Sequence, residues 1–190
     1  MKKALILIEN GSEELEFIAP VDILRRGGVK VDLVSANKNK EIQSSHGVKI
    51  IADKTIYDIE NVLEYDAIII PGGLPGATNL KDNNLAVDFF KTMSNNNKLV
   101  CAICASPIVL DEANITKDKN ITCYPGFEKQ ITYKKYNDKA AVVIDKNVIT
   151  GQGPTLSLLF GYEILNKLLG KETTDKVKKE MLLDVLKNNL

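Results

Sequence analysis

One pattern repeats along the chain: a short run with no polar position, a turn, then a longer amphipathic stretch. Ala4-Leu5-Ile6-Leu7-Ile8, Ala67-Ile68-Ile69-Ile70 and Leu99-Val100-Cys101-Ala102-Ile103 are its clearest runs. A strand apolar on both faces must be covered on both faces. That happens in a mainly parallel sheet sandwiched by helices, an α/β, doubly wound architecture. The spacing predicts strands over 3–9, 29–35, 66–70 and 98–103, with later strands at 121–124, 140–145 and 147–150. It predicts helices over 13–27 and 84–96, from about Ala105, and over 154–169 and 172–187. Residues 42–51 read as an edge hairpin around Ser45-His46-Gly47. In the first helix Leu15, Ile18, Ala19, Asp22, Ile23 and Arg26 share helical spacing, Ser12 is the expected N-cap, and Gly27-Gly28 is the stop. Pro20 predicts a kink.

Ligands of such sheets sit beyond the carboxyl ends of the strands. The segments expected in one crevice are therefore Glu9–Glu16, Pro71–Ala77, Cys104–Pro107 and Gly151–Thr155. A chain of 190 residues reads as one domain over 1–190. Its 25 basic and 25 acidic side chains leave no net charge, which argues against nucleic acid as a partner. No apolar run approaches the length of a membrane span. Lys2-Lys3 and the following run resemble a signal peptide only until Glu9. A cytoplasmic protein is expected, and Cys101, Cys104 and Cys123 fit that compartment better than a disulfide framework.

Cys104 follows one buried run directly and precedes a helical stretch, the position of a nucleophile elbow. A helix start there would favour the thiolate; a buried cysteine acting as a small hydrophobe is the competing reading. Cys101 is three residues earlier within a strand, about 10 Å away, too far for a dithiol pair. Three cysteines and one histidine show no metal-ligand spacing, so no metal is expected. Glu9-Asn10-Gly11-Ser12-Glu13-Glu14-Leu15-Glu16 is too acidic for a pyrophosphate. Glu13 and Glu14 suit the first turn of a helix. Glu16 falls toward the sheet, where a carboxyl beside a thiolate would hold its proton and donate to sulfur; a solvated surface acid is the alternative. The amides of Gly73 and Ala105 are candidates for an oxyanion hole. His46, the only histidine, is either an ordinary turn residue or an active-site or interface residue.

Taken together, Gly11-Ser12-Glu13-Glu14-Leu15-Glu16, Pro71-Gly72-Gly73 with Gly76-Ala77, Ala102-Ile103-Cys104-Ala105 and Gly153-Pro154 resemble the ThiJ/PfpI superfamily. They are most similar to its branch of the parkinsonism-associated redox protein and the protein deglycases. The resemblance runs from residue 3 to about 185. It implies a flavodoxin-like homodimer without cofactor. It implies a nucleophile at Cys104 that oxidises to sulfinate, a protonated Glu16 bonded to that sulfur, and amides of Gly73 and Ala105 on the substrate oxygen. The implied activities are glutathione-independent glyoxalase and reversal of methylglyoxal and glyoxal adducts on proteins. Oxidative-stress sensing and holdase chaperoning are the non-enzymatic alternative. The pattern departs at Tyr124, where some members carry histidine, and at Ser106, where glycine is usual. It departs again around Gly153 and Pro154, where the usual Ser-x-Gly-Pro-Gly-Thr has become Gly151-Gln152-Gly153-Pro154-Thr155-Leu156, and at His46, where relatives often carry arginine. Tyr124, Gly153, Pro154 and His46 are the expected pocket residues. A peptidase of the superfamily would carry histidine after the nucleophile, and Ala105 stands there.

Overall fold

The computed structural model describes residues 1–189; Leu190, the end of the expected domain, lies outside them. In chain order the elements are β1 (Lys3–Ile8), α1 (Glu14–Arg26), β2 (Lys30–Ser35), β3 (Glu41–Gln43), β4 (Lys49–Ile51), β5 (Lys54–Thr55) and β6 (Ala67–Ile70). Then come α2 (Gly76–Lys81), α3 (Asn84–Asn95), β7 (Leu99–Ile103), α4 (Pro107–Glu112), β8 (Asn120–Ile121), β9 (Lys135–Tyr136), β10 (Val142–Asp145) and β11 (Val148–Gly151). The chain closes with α5 (Ser157–Leu169), α6 (Lys171–Glu180) and α7 (Leu183–Lys187).

The apolar runs form the centre of a seven-stranded sheet, in order β10-β11-β7-β6-β1-β2-β5. Every pair in it is parallel except β10 with β11. Side chains of β1, β6 and β7 alternate between two apolar cores. Leu5, Leu7, Ile68 and Val100 pack under α2, α3 and α4; Ile6, Ile69, Cys101 and Ile149 pack under α1 and α5. This is the expected mainly parallel sheet between helices. The chain runs from β1 outward to β2, then returns to place β6 on the other side of β1. The loops after β1 and β6 therefore diverge at a switch point, where crevices form.

Several local expectations are corrected. The N-cap of α1 is Glu13, whose side chain accepts Glu16 N–H, while Ser12 Oγ accepts Glu9 N–H instead. Leu15 and Ile18 face solvent, 57% and 47% exposed, and the buried face of α1 is Glu16, Phe17, Pro20, Ile23 and Leu24. The spacing of Leu15 and Ile18 is helical, yet it marks the outer face. The helix expected from Ala105 starts at Pro107. The segment 172–187 breaks at Leu182, whose φ of 59° ends one helix and begins another. The expected hairpin over 42–51 forms as β3 and β4, apart from the main sheet. The strand expected over 121–124 shortens to β8 and pairs with β9 in a third sheet.

Candidate active site

Cys104 lies in the turn between the end of β7 and the start of α4. Its φ is 65°, a left-handed conformation that costs a side-chain-bearing residue about 1–3 kcal/mol. Surrounding bonds hold it there. Cys104 N–H donates to Gly151 O at 3.0 Å, and Tyr124 N–H donates to Cys104 O at 2.9 Å. Ser106 is fully buried behind the turn. Its Oγ accepts Ile103 N–H at 3.1 Å and donates toward Ile103 O at 2.7 Å and Ile70 O at 3.1 Å. Ser106 thus joins the ends of β6 and β7 under the sulfur. Sequence reasoning noted this serine only as a departure; the strand-end geometry that gives it work is not visible in a linear pattern.

Glu16 reaches the same point from α1. It is completely buried, and Oε2 accepts Gly72 N–H at 2.7 Å. Oε1 is buried without a hydrogen-bond partner, and the carboxyl as a whole interacts with the Cys104 thiol. Burial pushes the Glu16 carboxyl up to about 7; the Gly72 amide and Cys104 oppose the rise, and Glu13 adds to it. Burial likewise pushes the Cys104 thiol up, an ionised Glu16 adds to that, and the amides of Ala105 and Gly73 pull it down. This reverses the expected lowering by a helix start, because burial and the neighbouring Glu16 outweigh the amides. The two acids form a coupled pair. While Glu16 keeps its proton, the thiol ionises without placing two negative charges in one cleft.

Gly72 explains why the pieces fit. A Cβ there would lie 2.7 Å from Cys104 Cβ, 2.8 Å from Ala105 N and 2.9 Å from Glu16 Oε2. Only a residue without a side chain lets these three groups meet. The sequence singled out Gly73 for its amide and missed that Gly72 both makes this room and binds Glu16. Gly73, at φ 86°, packs its backbone against Gly11 and Glu13, and Glu13 N–H donates to Gly72 O at 3.0 Å. All four post-strand segments therefore do converge.

Joined to this point through the Tyr124 N–H bond to Cys104 O is an open groove of about 280 Å³ lined by Tyr124, Gln152, Gly153, Pro154 and Leu156 among others, but not by Cys104 or Glu16. None of its lining side chains is charged. Gln152 Nε2 donates to Asp138 O at 2.6 Å. Three of the expected pocket residues, Tyr124, Gly153 and Pro154, line it. His46 does not. It sits on the β3–β4 turn, 74% exposed, with Nδ1 2.8 Å from Glu14 Oε2. The cause is Glu14, whose two oxygens bind Ser44, Ser45 and both the backbone N–H and the ring of His46. Glu13, Glu14 and His46 offer ligand atoms within 4.8 Å of one another, but these donors already occupy Glu14. Cys101 and Cys123 are fully buried, and burial pushes both thiols up.

Residues 2–167 match the DJ-1/PfpI family. The chain belongs to that family. It is 33% identical over 183 residues to Protein dj-1beta of Drosophila melanogaster, covering 96% of this chain and 97% of that protein. It is 34% identical over 185 residues to the Parkinson disease protein 7 homolog of Danio rerio, at 96% and 97% coverage. The crystal structure of Drosophila melanogaster DJ-1beta superposes with a TM-score of 0.91, at 34% identity over 95% of this chain and 97% of that one. Toxoplasma gondii DJ-1, oxidized, superposes at 0.90, with 31% identity over 96% and 98%. The DJ-1/PfpI fold is thus the flavodoxin-like sheet that the sequence resemblance implied. Among the described residues no helix is long and apolar enough to cross a membrane.

Proposed function

We propose that this DJ-1/PfpI member is a cysteine-dependent, glutathione-independent glyoxalase and deglycase acting on methylglyoxal, glyoxal and their early protein adducts. The observation that carries the reading is the meeting of Cys104, Glu16 and the amides of Gly73 and Ala105 around Gly72. Cys104 loses its thiol proton to solvent as the dicarbonyl binds, the thiolate attacks the aldehyde carbon, and the oxygen of the resulting hemithioacetal accepts hydrogen bonds from the two amides. Glu16, protonated up to about pH 7, gives that oxygen its proton and as carboxylate takes the proton from the former aldehyde carbon. Reprotonation at the neighbouring carbon yields a thioester, and water releases lactate and the thiol. No external oxidant enters, because one carbon is oxidised as its neighbour is reduced. The uncharged lining of the adjoining groove suits a small neutral carbonyl. Turnover of methylglyoxal to lactate by wild type and by Cys104→Ser tests it: activity in the first and none in the second is expected, and equal rates refute it.

The alternative is a cysteine redox sensor and holdase with an oxidative-stress role. It draws on Cys104 being the one partly exposed cysteine, set among amide donors that would also hold a sulfinate. Sulfinate formation with peroxide, in protein without dicarbonyl turnover, would favour it. Either reading takes the chain as one ThiJ/PfpI-type domain, and its free thiols suit a cytoplasmic location.

The self-association implied by the resemblance has a surface to use. Leu15 and Ile18 on α1, with Val48 and Ile51 of the β3–β4 hairpin, are 47–79% exposed. Glu14 and its bonds to Ser44, Ser45 and His46 hold helix and hairpin together. A second copy of the chain covering this face gives a homodimer. Light scattering of Ile18→Glu/Ile51→Glu should then give a monomer mass; an unchanged dimer would move the interface elsewhere.

A further inference from the structure

The pole of the sheet opposite Cys104 carries a cluster of cations that the site above does not use. We propose that it is a binding site for a linear polyphosphate anion. The parallel topology creates it. Lys146 precedes β11, Lys98 precedes its neighbour β7, and Lys2 precedes β1 on the far side of β6, so three of four consecutive strands begin from a lysine. Lys167, near the end of α5, joins them in a cleft of about 420 Å³. Asp66, just before β6, is its one carboxylate. Asp66 is anchored by Lys3 N–H at 2.9 Å and fixes Lys2 Nζ at 3.0 Å, with Lys98 Nζ at 3.9 Å. Lys146 and Lys167 have no carboxylate within 4.0 Å among the described residues. Three positive charges are therefore in excess within the cleft.

Lys2 and Lys98, both within 4 Å of Asp66 Oδ1, repel one another across less than a Debye length, about 8 Å at physiological salt, and Lys146 and Lys167 add their charge to the same cleft. A multivalent anion removes that repulsion and takes charge-assisted bonds from each ammonium. Asn147 stiffens the floor by donating to Lys98 O at 3.1 Å and Ser94 O at 3.4 Å. No aromatic side chain lines the cleft, so no base would be stacked, and phosphate groups rather than a nucleoside are what it can recognise.

The test is isothermal titration of the full chain with sodium tripolyphosphate at constant ionic strength. Saturable one-to-one binding is expected, weaker with added salt. Lys146→Gln/Lys167→Gln should weaken it by about tenfold or more, since each loses a charged bond. Lys117→Gln/Lys129→Gln, away from the cleft, should bind as wild type. Melting curves of both variants verify the fold, and methylglyoxal handling should not change in either. Absent saturation in wild type, or equal affinity in the cleft variant, overturns the proposal. Equal weakening in both double variants overturns it too, by reporting nonspecific charge.

Discussion

Glu14 and Glu16 stand two residues apart on the first turn of α1, both buried, and they hold protons in opposite ways. Burial raises both carboxyls. At Glu14 the donors of Ser44 and His46 overturn the rise and hold it to about 2. At Glu16 one amide and one thiol cannot, and the carboxyl stands at about 7. Glu14 keeps 8% of its surface and has the more donors, while Glu16 keeps none and has fewer, and together these decide which acid is charged. One carboxylate becomes a structural bolt between helix and hairpin. The other keeps a proton that can move near neutral pH.

The contrast is broken most strongly through the reaction. Glu16→Leu should lower methylglyoxal turnover about a hundredfold or more, because a titratable group tuned near neutrality is lost. Glu14→Leu, assayed where it stays folded, should keep turnover within a few-fold. Comparable losses in both would erase the distinction.

Stability reverses the ranking. Glu14→Leu leaves buried donors unpaired and should cost about 3 kcal/mol at pH 7 in denaturant melts. The folded carboxyl lies near 2 against an ordinary 4.5, so its contribution is present above 4.5 and disappears as pH falls toward 2. The gap between wild type and variant should close over that window.

Glu16 has the opposite sign and, with a shift of the same size, a comparable effect. With a folded value near 7 against 4.5, its contribution is full below 4.5 and lost as pH rises through 7. Glu16→Gln should match wild type near pH 4 and exceed it by roughly 3 kcal/mol at pH 8. A gain at pH 4 instead would show that the carboxyl is charged throughout.

The same contrast marks what a linear pattern carries. The apolar runs named the central strands because nothing else can bury them, and Cys104 and Glu16 were legible from their places just after such runs. Glu14 was read as a helix-dipole acid, because its partners lie some thirty residues away on a hairpin turn. His46 went to the pocket list for the same reason. Leu15 and Ile18 show the limit of periodicity: spacing names a face but not what covers it. Gly72 and Ser106 were missed because their work is to let separate strand ends touch, which only packing reveals.

The most direct measurement is a carbon-13 titration of the Glu16 carboxyl in wild type and Cys104→Ala. A midpoint near 7 is expected in wild type, rising further in Cys104→Ala, since Cys104 stabilises the ionised carboxylate. A midpoint near 4.5 that ignores the cysteine would contradict the shared-proton pair and the mechanism built on it.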